Sequence, residues 1–256
     1  MLIDPKEYDE TINLMALRSG VKADIHKEDF IFQFLMQNNS FGSKEDALSY
    51  YFTDGANSCG MLLSLVSTYL KSASAPRRIL EFASGYGCVS RHLAKQVGYE
   101  FTPCDIHIAA TDFLHDNLGL NALQSSHSPE DFVAPQLYDV AFALSFFSHM
   151  PDATWGRWVG ALLKAVRPGG LLIFTTQGQS SAKIFGDPPL DENGYWFLAD
   201  SEQKDLDVEE YGQTIVTPSY VFRQISAHGN AEPAFFQEGY WWGHQDVYVI
   251  RKAAAL

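Results

Sequence analysis

The sequence predicts an α/β fold organised around a mostly parallel sheet. From Arg78 onward, short apolar runs alternate with amphipathic helical stretches, the pattern that joins parallel strands through helical crossovers. The last two apolar runs lie too close together for a helical crossover and are expected to pair antiparallel. The chain has 256 residues, 46% of them apolar and 14% aromatic, enough for one sizeable core, so one domain with appendages is expected.

Residues 1–76 read as an N-terminal helical extension, or lid, with no strand-like run. Ser43 followed by Asp46 is a variant capping box and marks the strongest helix start there. A further helix is expected after a turn at Asp54-Gly55, where Met61, Leu62, Leu65, Val66, Tyr69 and Leu70 recur at helical spacing, and Pro76 should end it. The core should occupy residues 77–256. Its expected strands are Ile79–Phe82, Tyr99–Cys104, Ala122–Gln124, Val140–Leu144, Leu171–Thr175, Ala234–Gln237 and Val247–Arg251. Trp155, Trp158, Val159, Leu162, Leu163 and Val166 form a helical stripe that Pro168-Gly169-Gly170 should stop. An insertion at about 184–217 loses the alternation. A helix should then begin at Thr217-Pro218, where threonine can cap and proline suits the first turn.

Composition narrows the function. A formal charge of −13 repels polyphosphate backbones, and no local basic patch offsets it, so nucleic acid is not an expected partner. The densest acidic stretch, Asp200 to Glu210, reads as a solvated face. Cys59, Cys88 and Cys104 form neither a disulfide framework nor a zinc cluster, which fits a reducing cytoplasm. No run reaches the roughly 18 apolar residues of a membrane span. His107 and His115 lack a third ligand at metal spacing, so no metal is expected.

The informative stretch runs Arg78-Ile-Leu-Glu81-Phe-Ala83-Ser84-Gly85-Tyr-Gly87-Cys-Val-Ser90, a strand, a glycine-containing turn and a helix start. Glycines there admit a ligand close to the backbone, and the helix amides offer it donors. Asp105 ends the next strand, where an acid can accept hydrogen bonds from both hydroxyls of a ribose. A nicotinamide-binding fold would normally carry G-x-G-x-x-G directly after the strand. Here position 90 is serine and the strand ends in Glu81.

This pattern resembles the class I (Rossmann-like) S-adenosylmethionine-dependent methyltransferases, whose first motif is acid-x-G-x-G-x-G. Here it reads Glu81-x-Ala83-x-Gly85-x-Gly87, with alanine at the first glycine. The resemblance continues through Asp105, Tyr138–Ser145 and Arg167–Phe174, covering about residues 78 to 176. It implies a Rossmann-like methyltransferase fold, a seven-stranded mostly parallel sheet whose antiparallel last strand is inserted between its neighbours, and S-adenosyl-L-methionine as cofactor. It also implies that Glu81, Ala83, Ser84, Gly85 and Gly87 hold the methionine end. Asp105, with Ile106 beside it, would bind the ribose, and Ser126 and His127 the adenine edge, while Ser145 ends the fourth strand on the cofactor side.

Methyl transfer from a sulfonium is an in-line displacement, so positioning can supply much of the rate. A base is needed only where the acceptor must lose a proton. His149, in Ser145-Phe-Phe-Ser148-His149, can serve a hydroxyl acceptor because imidazole titrates near neutrality; capping its loop is the structural alternative. His244 and Asp246 would share a face if both lay in a strand, and a structural turn is the alternative. The acceptor pattern of base-modifying enzymes is absent after the fourth strand, and Ser145 stands where metal-dependent catechol methyltransferases place a ligand aspartate. A small-molecule or glycan hydroxyl is therefore the expected acceptor. A protein or amine acceptor, or a catalytically silent cofactor-binding regulator, remains an alternative.

Overall fold

The computed structural model describes residues 2–71, 76–201, 203 and 205–253. Glu202 and Lys204 of the expected acidic face, and the last three residues of the expected core, lie outside the described residues. The chain divides into two compact units, Met1–Ser64 with Ala83–Ser125, and Leu65–Phe82 with Ser126–Leu256. Strands and helices are numbered in chain order.

In the first unit, helix α1 (Asp9–Ser19) ends at Gly20, whose left-handed backbone turns its N–H onto the carbonyls of Ala16 and Leu17. The carboxylate of Asp29 caps helix α2 (Phe30–Gln37), accepting from Phe32 N at 3.1 Å. Helix α3 (Lys44–Tyr69) starts as expected, with Asp46 N donating to Ser43 Oγ at 3.1 Å. These helices bury Ile12, Ala16, Phe32, Met36, Leu48 and Phe52 together.

The expected break at Asp54-Gly55 does not occur, since α3 runs through it. Gly55 serves a close approach instead. A Cβ there would lie 2.3 Å from the carbonyl oxygen of Cys88. Helix packing thus outweighs the roughly 1 kcal/mol that glycine costs in a helix interior. Strand β1 (Arg77–Phe82) opens the α/β part, and the first unit resumes after it with helix α4 (Ser90–Leu93), strand β2 (Tyr99–Asp105), helix α5 (Ile108–Asp116) and the short strand β3 (Leu123–Gln124). β2 and β3 pair in parallel, with Asp105 opposite Gln124.

In the second unit, β1 pairs in parallel with β4 (Tyr138–Ala143), and β4 with β5 (Val166–Gln177). Every residue of β4 is buried, which explains its unbroken apolar reading. Helix α6 (Asp152–Ala165) buries the tryptophan and leucine stripe as expected, but it stops before Val166, which belongs to β5. The next residue is anchored early, because Arg167 Nε donates to Asp139 Oδ1 at 2.5 Å.

After helix α7 (Gln179–Ala182) come strands β6 (Tyr195–Leu198) and β7 (Gln213–Val216), helix α8 (Pro218–Ser226), and strands β8 (Ala231–Trp241) and β9 (Gln245–Lys252). Thr217 Oγ1 caps α8 by accepting from Tyr220 N at 3.3 Å, as expected. β9 runs antiparallel to both β5 and β8 and lies between them, the expected placement of the last strand. The seven expected strands are accompanied by two more, since β6 and β7 pair antiparallel inside the segment expected as an irregular insertion. Each is four residues long, too short to display a period, and pairing across the excursion is what makes them strands. Among the described residues, no helix is long and apolar enough to cross a membrane.

Candidate cofactor and acceptor residues

The first unit holds the loop that follows β1. Ala83, Gly85 and Gly87 all adopt left-handed backbones, with φ of 58°, 54° and 82°. Only the two glycines reach that region without strain. Their smallness serves different ends. A Cβ on Gly85 would meet nothing within 4 Å, whereas one on Gly87 would press to 2.7 Å from Leu114 Cδ2. Gly85 therefore leaves room beside the backbone, and Gly87 permits packing against α5.

Asp105 ends β2 almost fully buried and organises this loop. Its Oδ2 accepts from Gly85 N at 2.7 Å, and its Oδ1 accepts from His107 N at 3.0 Å and meets His107 Nδ1 at 2.8 Å. A carboxylate offers about four acceptor positions, so one remains for a ligand hydroxyl. Ser84 N donates to Cys104 O at 3.0 Å, while its buried hydroxyl has no partner. An orphaned buried hydroxyl, an open glycine and a carboxylate with spare capacity suit a polar ligand. These residues fit a cofactor carrying ribose hydroxyls. Ile106 is half-buried beside Asp105. The role of His107 was not legible beforehand, and its place two residues after the acid is the only sequence signal.

The second unit holds the remaining candidates. Glu81 is buried in β1, one residue short of its end, in register with Phe142. Ser126 donates its hydroxyl to Ser128 O at 2.7 Å, and His127 is exposed. Ser145 follows β4 with a left-handed φ of 57°. Its N–H donates to Thr175 Oγ1 at 2.8 Å, and its Oγ receives Gln245 Nε2 at 2.9 Å and lies 3.0 Å from Ser148 Oγ. Thr175 closes the ring by donating to Gln245 Oε1 at 2.6 Å. A half-buried hydrogen-bond network holds this bend, which offsets the strain of a left-handed serine. Thr175 and Gln245 were not singled out in the sequence.

His149 stands half-buried after this bend. Its Nδ1 lies 2.8 Å from Gly212 O, and the ring stacks on Tyr211 at 4.4 Å between centroids. A carbonyl can only accept, so Nδ1 carries the proton in the neutral ring and Nε2 has the basic lone pair. The backbone reinforces the contact, with Gly212 N donating to His149 O at 2.9 Å and Thr214 N to Ser148 O at 2.8 Å. The segment containing β7 thus sets the histidine's orientation.

His244 and Asp246 do not form the pair their spacing allowed. His244 lies in a turn formed by left-handed Trp242 and Gly243, and its Nδ1 is 3.3 Å from Ser181 Oγ. Burial lowers its pKa. Asp246 lies in β9 opposite Thr176, fully buried. Its Oδ1 accepts from Gly239 N at 2.9 Å, and its Oδ2 has no partner. Burial, reinforced by the nearby Glu238 charge, pushes its pKa up to about 6 against the pull of the Gly239 hydrogen bond. Among the described residues, no group of three or more His, Cys, Asp or Glu side chains could hold a metal ion.

A methyltransferase domain is matched over residues 57–214. A crystal structure of an S-adenosylmethionine-dependent methyltransferase from Clostridium acetobutylicum superposes with a TM-score of 0.57 at 10% identity, covering 79% of this chain and 92% of that one. The glycopeptide N-methyltransferase MtfA gives 0.54 at 11% identity, covering 77% and 90%. CalS10, an amino pentose methyltransferase from Micromonospora echinaspora solved with S-adenosylmethionine bound, gives 0.52 at 14% identity, covering 79% and 92%. No curated protein sequence matches the chain. The domain match spans more than half of the chain, and the chain shares the fold of these structures, so it belongs to the class I, Rossmann-like family of S-adenosylmethionine-dependent methyltransferases.

Proposed function

We propose that this enzyme methylates a hydroxyl of a small-molecule or glycan acceptor, with Ala83–Gly87 and Asp105 as cofactor residues and His149 as general base. The cofactor supplies an electrophilic methyl group on a positively charged sulfur. Asp105 would accept from one ribose hydroxyl, and the Ser84 hydroxyl would donate to a polar group at the methionine end. Glu81, Ile106, Ser126, His127 and Ser145 complete the proposed cofactor set. His149 Nε2 would take the proton that the acceptor hydroxyl gives up when it receives that methyl group. The Nδ1 hydrogen bond from His149 to Gly212 O carries this reading, because it selects the tautomer a base requires.

One observation favours an amine acceptor as a second reading. The segment 184–217 contains nine carboxylate side chains and one lysine, a charge balance suited to drawing in a cation. Two of the similar structures are a glycopeptide N-methyltransferase and an amino pentose methyltransferase. We propose this segment as the acceptor side, residues 1–76 as the helical extension and 77–256 as the core. The expected compartment is a reducing cytoplasm, and no nucleic-acid partner is expected.

Methyl-transfer assays on matched hydroxyl and amino sugars test these readings. Turnover on hydroxyl acceptors that drops at least a hundredfold in His149→Ala supports the first. Turnover on amines alone, unaffected by that substitution, replaces it with the second.

A further inference from the structure

We infer that Arg91 is a positioning residue for the glycine loop and that the N-terminal extension holds it there; this rests on the reading of that loop as the cofactor site. Arg91 is nearly inaccessible, and a buried guanidinium persists only where its donors are met. Its Nε donates to Gly87 O at 3.1 Å, its Nη1 to Lys22 O at 2.9 Å and its Nη2 to Tyr51 Oη at 3.2 Å. Tyr51 in turn donates to Asp29 Oδ2 at 2.7 Å, while Asp29 Oδ1 caps α2. The guanidinium also lies over the Tyr51 and Phe52 rings, 5.4 and 5.7 Å from their centroids.

Every step of this chain is buried and directional. It runs from the first turn of α2, through α3, to the carbonyl of the last glycine in the motif. That carbonyl belongs to a left-handed residue and also accepts from Arg91 N at 3.2 Å, so the guanidinium adds a second bond that fixes its orientation. A second contact reaches the same loop, since His26 stacks on Tyr86 with centroids 4.7 Å apart and planes 4° apart. Residues Lys22 to Asp29 therefore brace the loop from a stretch of sequence more than fifty residues away. A freely moving lid would need only its own hinge, whereas this segment is tied to the loop's backbone.

Arg91→Lys and Tyr51→Phe test the inference by calorimetric titration of the full chain with S-adenosylhomocysteine, alongside thermal melts and amide hydrogen exchange over residues 85–89. Ile12→Ala, buried in the same unit but outside the relay, is the control for lost stability. Tyr51→Phe should weaken binding about tenfold, and Arg91→Lys more, because an ammonium cannot span three acceptors in fork geometry. Exchange at 85–89 should rise in both variants and not in the control. Should Arg91→Lys fail to fold, Asp29→Asn probes the far end of the relay, where a several-fold loss is expected. Unchanged affinity in the folded relay variants, or an equal loss in Ile12→Ala, overturns the inference and leaves Arg91 a stability residue. Wild-type protein that does not bind the probe overturns the cofactor reading itself.

Discussion

Replacing Ala83 with glycine asks whether the loop carries backbone strain. Ala83 sits at φ 58°, in the left-handed region, and its methyl group is exposed. An L-residue there is strained by roughly 1–2 kcal/mol. Glycine removes that strain but returns about 0.5–1 kcal/mol through the greater freedom of the unfolded chain. No packing is lost with an exposed methyl, so the balance is a stabilisation of about 0.5–1 kcal/mol. For a protein of this size, that corresponds to a Tm rise of roughly 1–4 °C. Differential scanning calorimetry of both proteins at matched concentration measures it directly. A Tm that is unchanged or lower in Ala83→Gly would show that the left-handed conformation is not strained and would refute the reasoning.

Other substitutions probe the loop and the buried ionisable groups. Gly85→Ala should cost about 1–2 kcal/mol from backbone strain alone, whereas Gly87→Ala should cost more, because its Cβ also strikes Leu114; chemical denaturation that ranks them the other way would contradict the division of roles. His92 is buried with neither ring nitrogen partnered, and burial, with Arg91 and Lys95 nearby, lowers its pKa to about 4. A depressed histidine pKa means that the unfolded chain binds the proton more tightly, so stability should fall by about 2–3 kcal/mol as pH drops from 6.5 towards 4. Urea melts across that range should show a flatter profile in His92→Leu. Asp246 carries the opposite sign. Its raised pKa favours the folded state at low pH, and this contribution is lost as pH rises through about 6. Asp246→Asn should therefore raise Tm at pH 7.5 by an amount that shrinks at pH 5; a difference independent of pH would refute the buried-carboxylate account.

How much could be read beforehand depended on the range of the interactions involved. Periodicity and capping are local, so the starts of α3 and α8, the stripe of α6 and all seven core strands were visible in Ser43, Thr217, Trp155 and the apolar runs. The antiparallel last strand followed from spacing alone. The Glu81–Gly87 motif and Asp105 stood out as candidate binding residues because a strand, a tight turn and an acid at the next strand's end are ordered in sequence. Gly55 misled because a missing Cβ reads the same whether it serves a turn or a close contact. Only the carbonyl of Cys88 against it decides. β6 and β7 escaped notice because four residues show no period, and only their pairing defines them.

The sequence by itself determined the fold class, the family and the residue types of the glycine loop, since each is encoded by neighbours a few positions apart. The tertiary structure alone decided the tautomer of His149, the separation of His244 from Asp246 and the relay through Arg91. Each of these depends on a hydrogen bond, or on the lack of one, between groups that folding brings together or keeps apart. The partner that orients His149, Gly212, lies 63 residues away, and Tyr51 lies 40 from Arg91. No local pattern records such distances, because the energy of a buried hydrogen bond is set by geometry that exists only once the chain has folded.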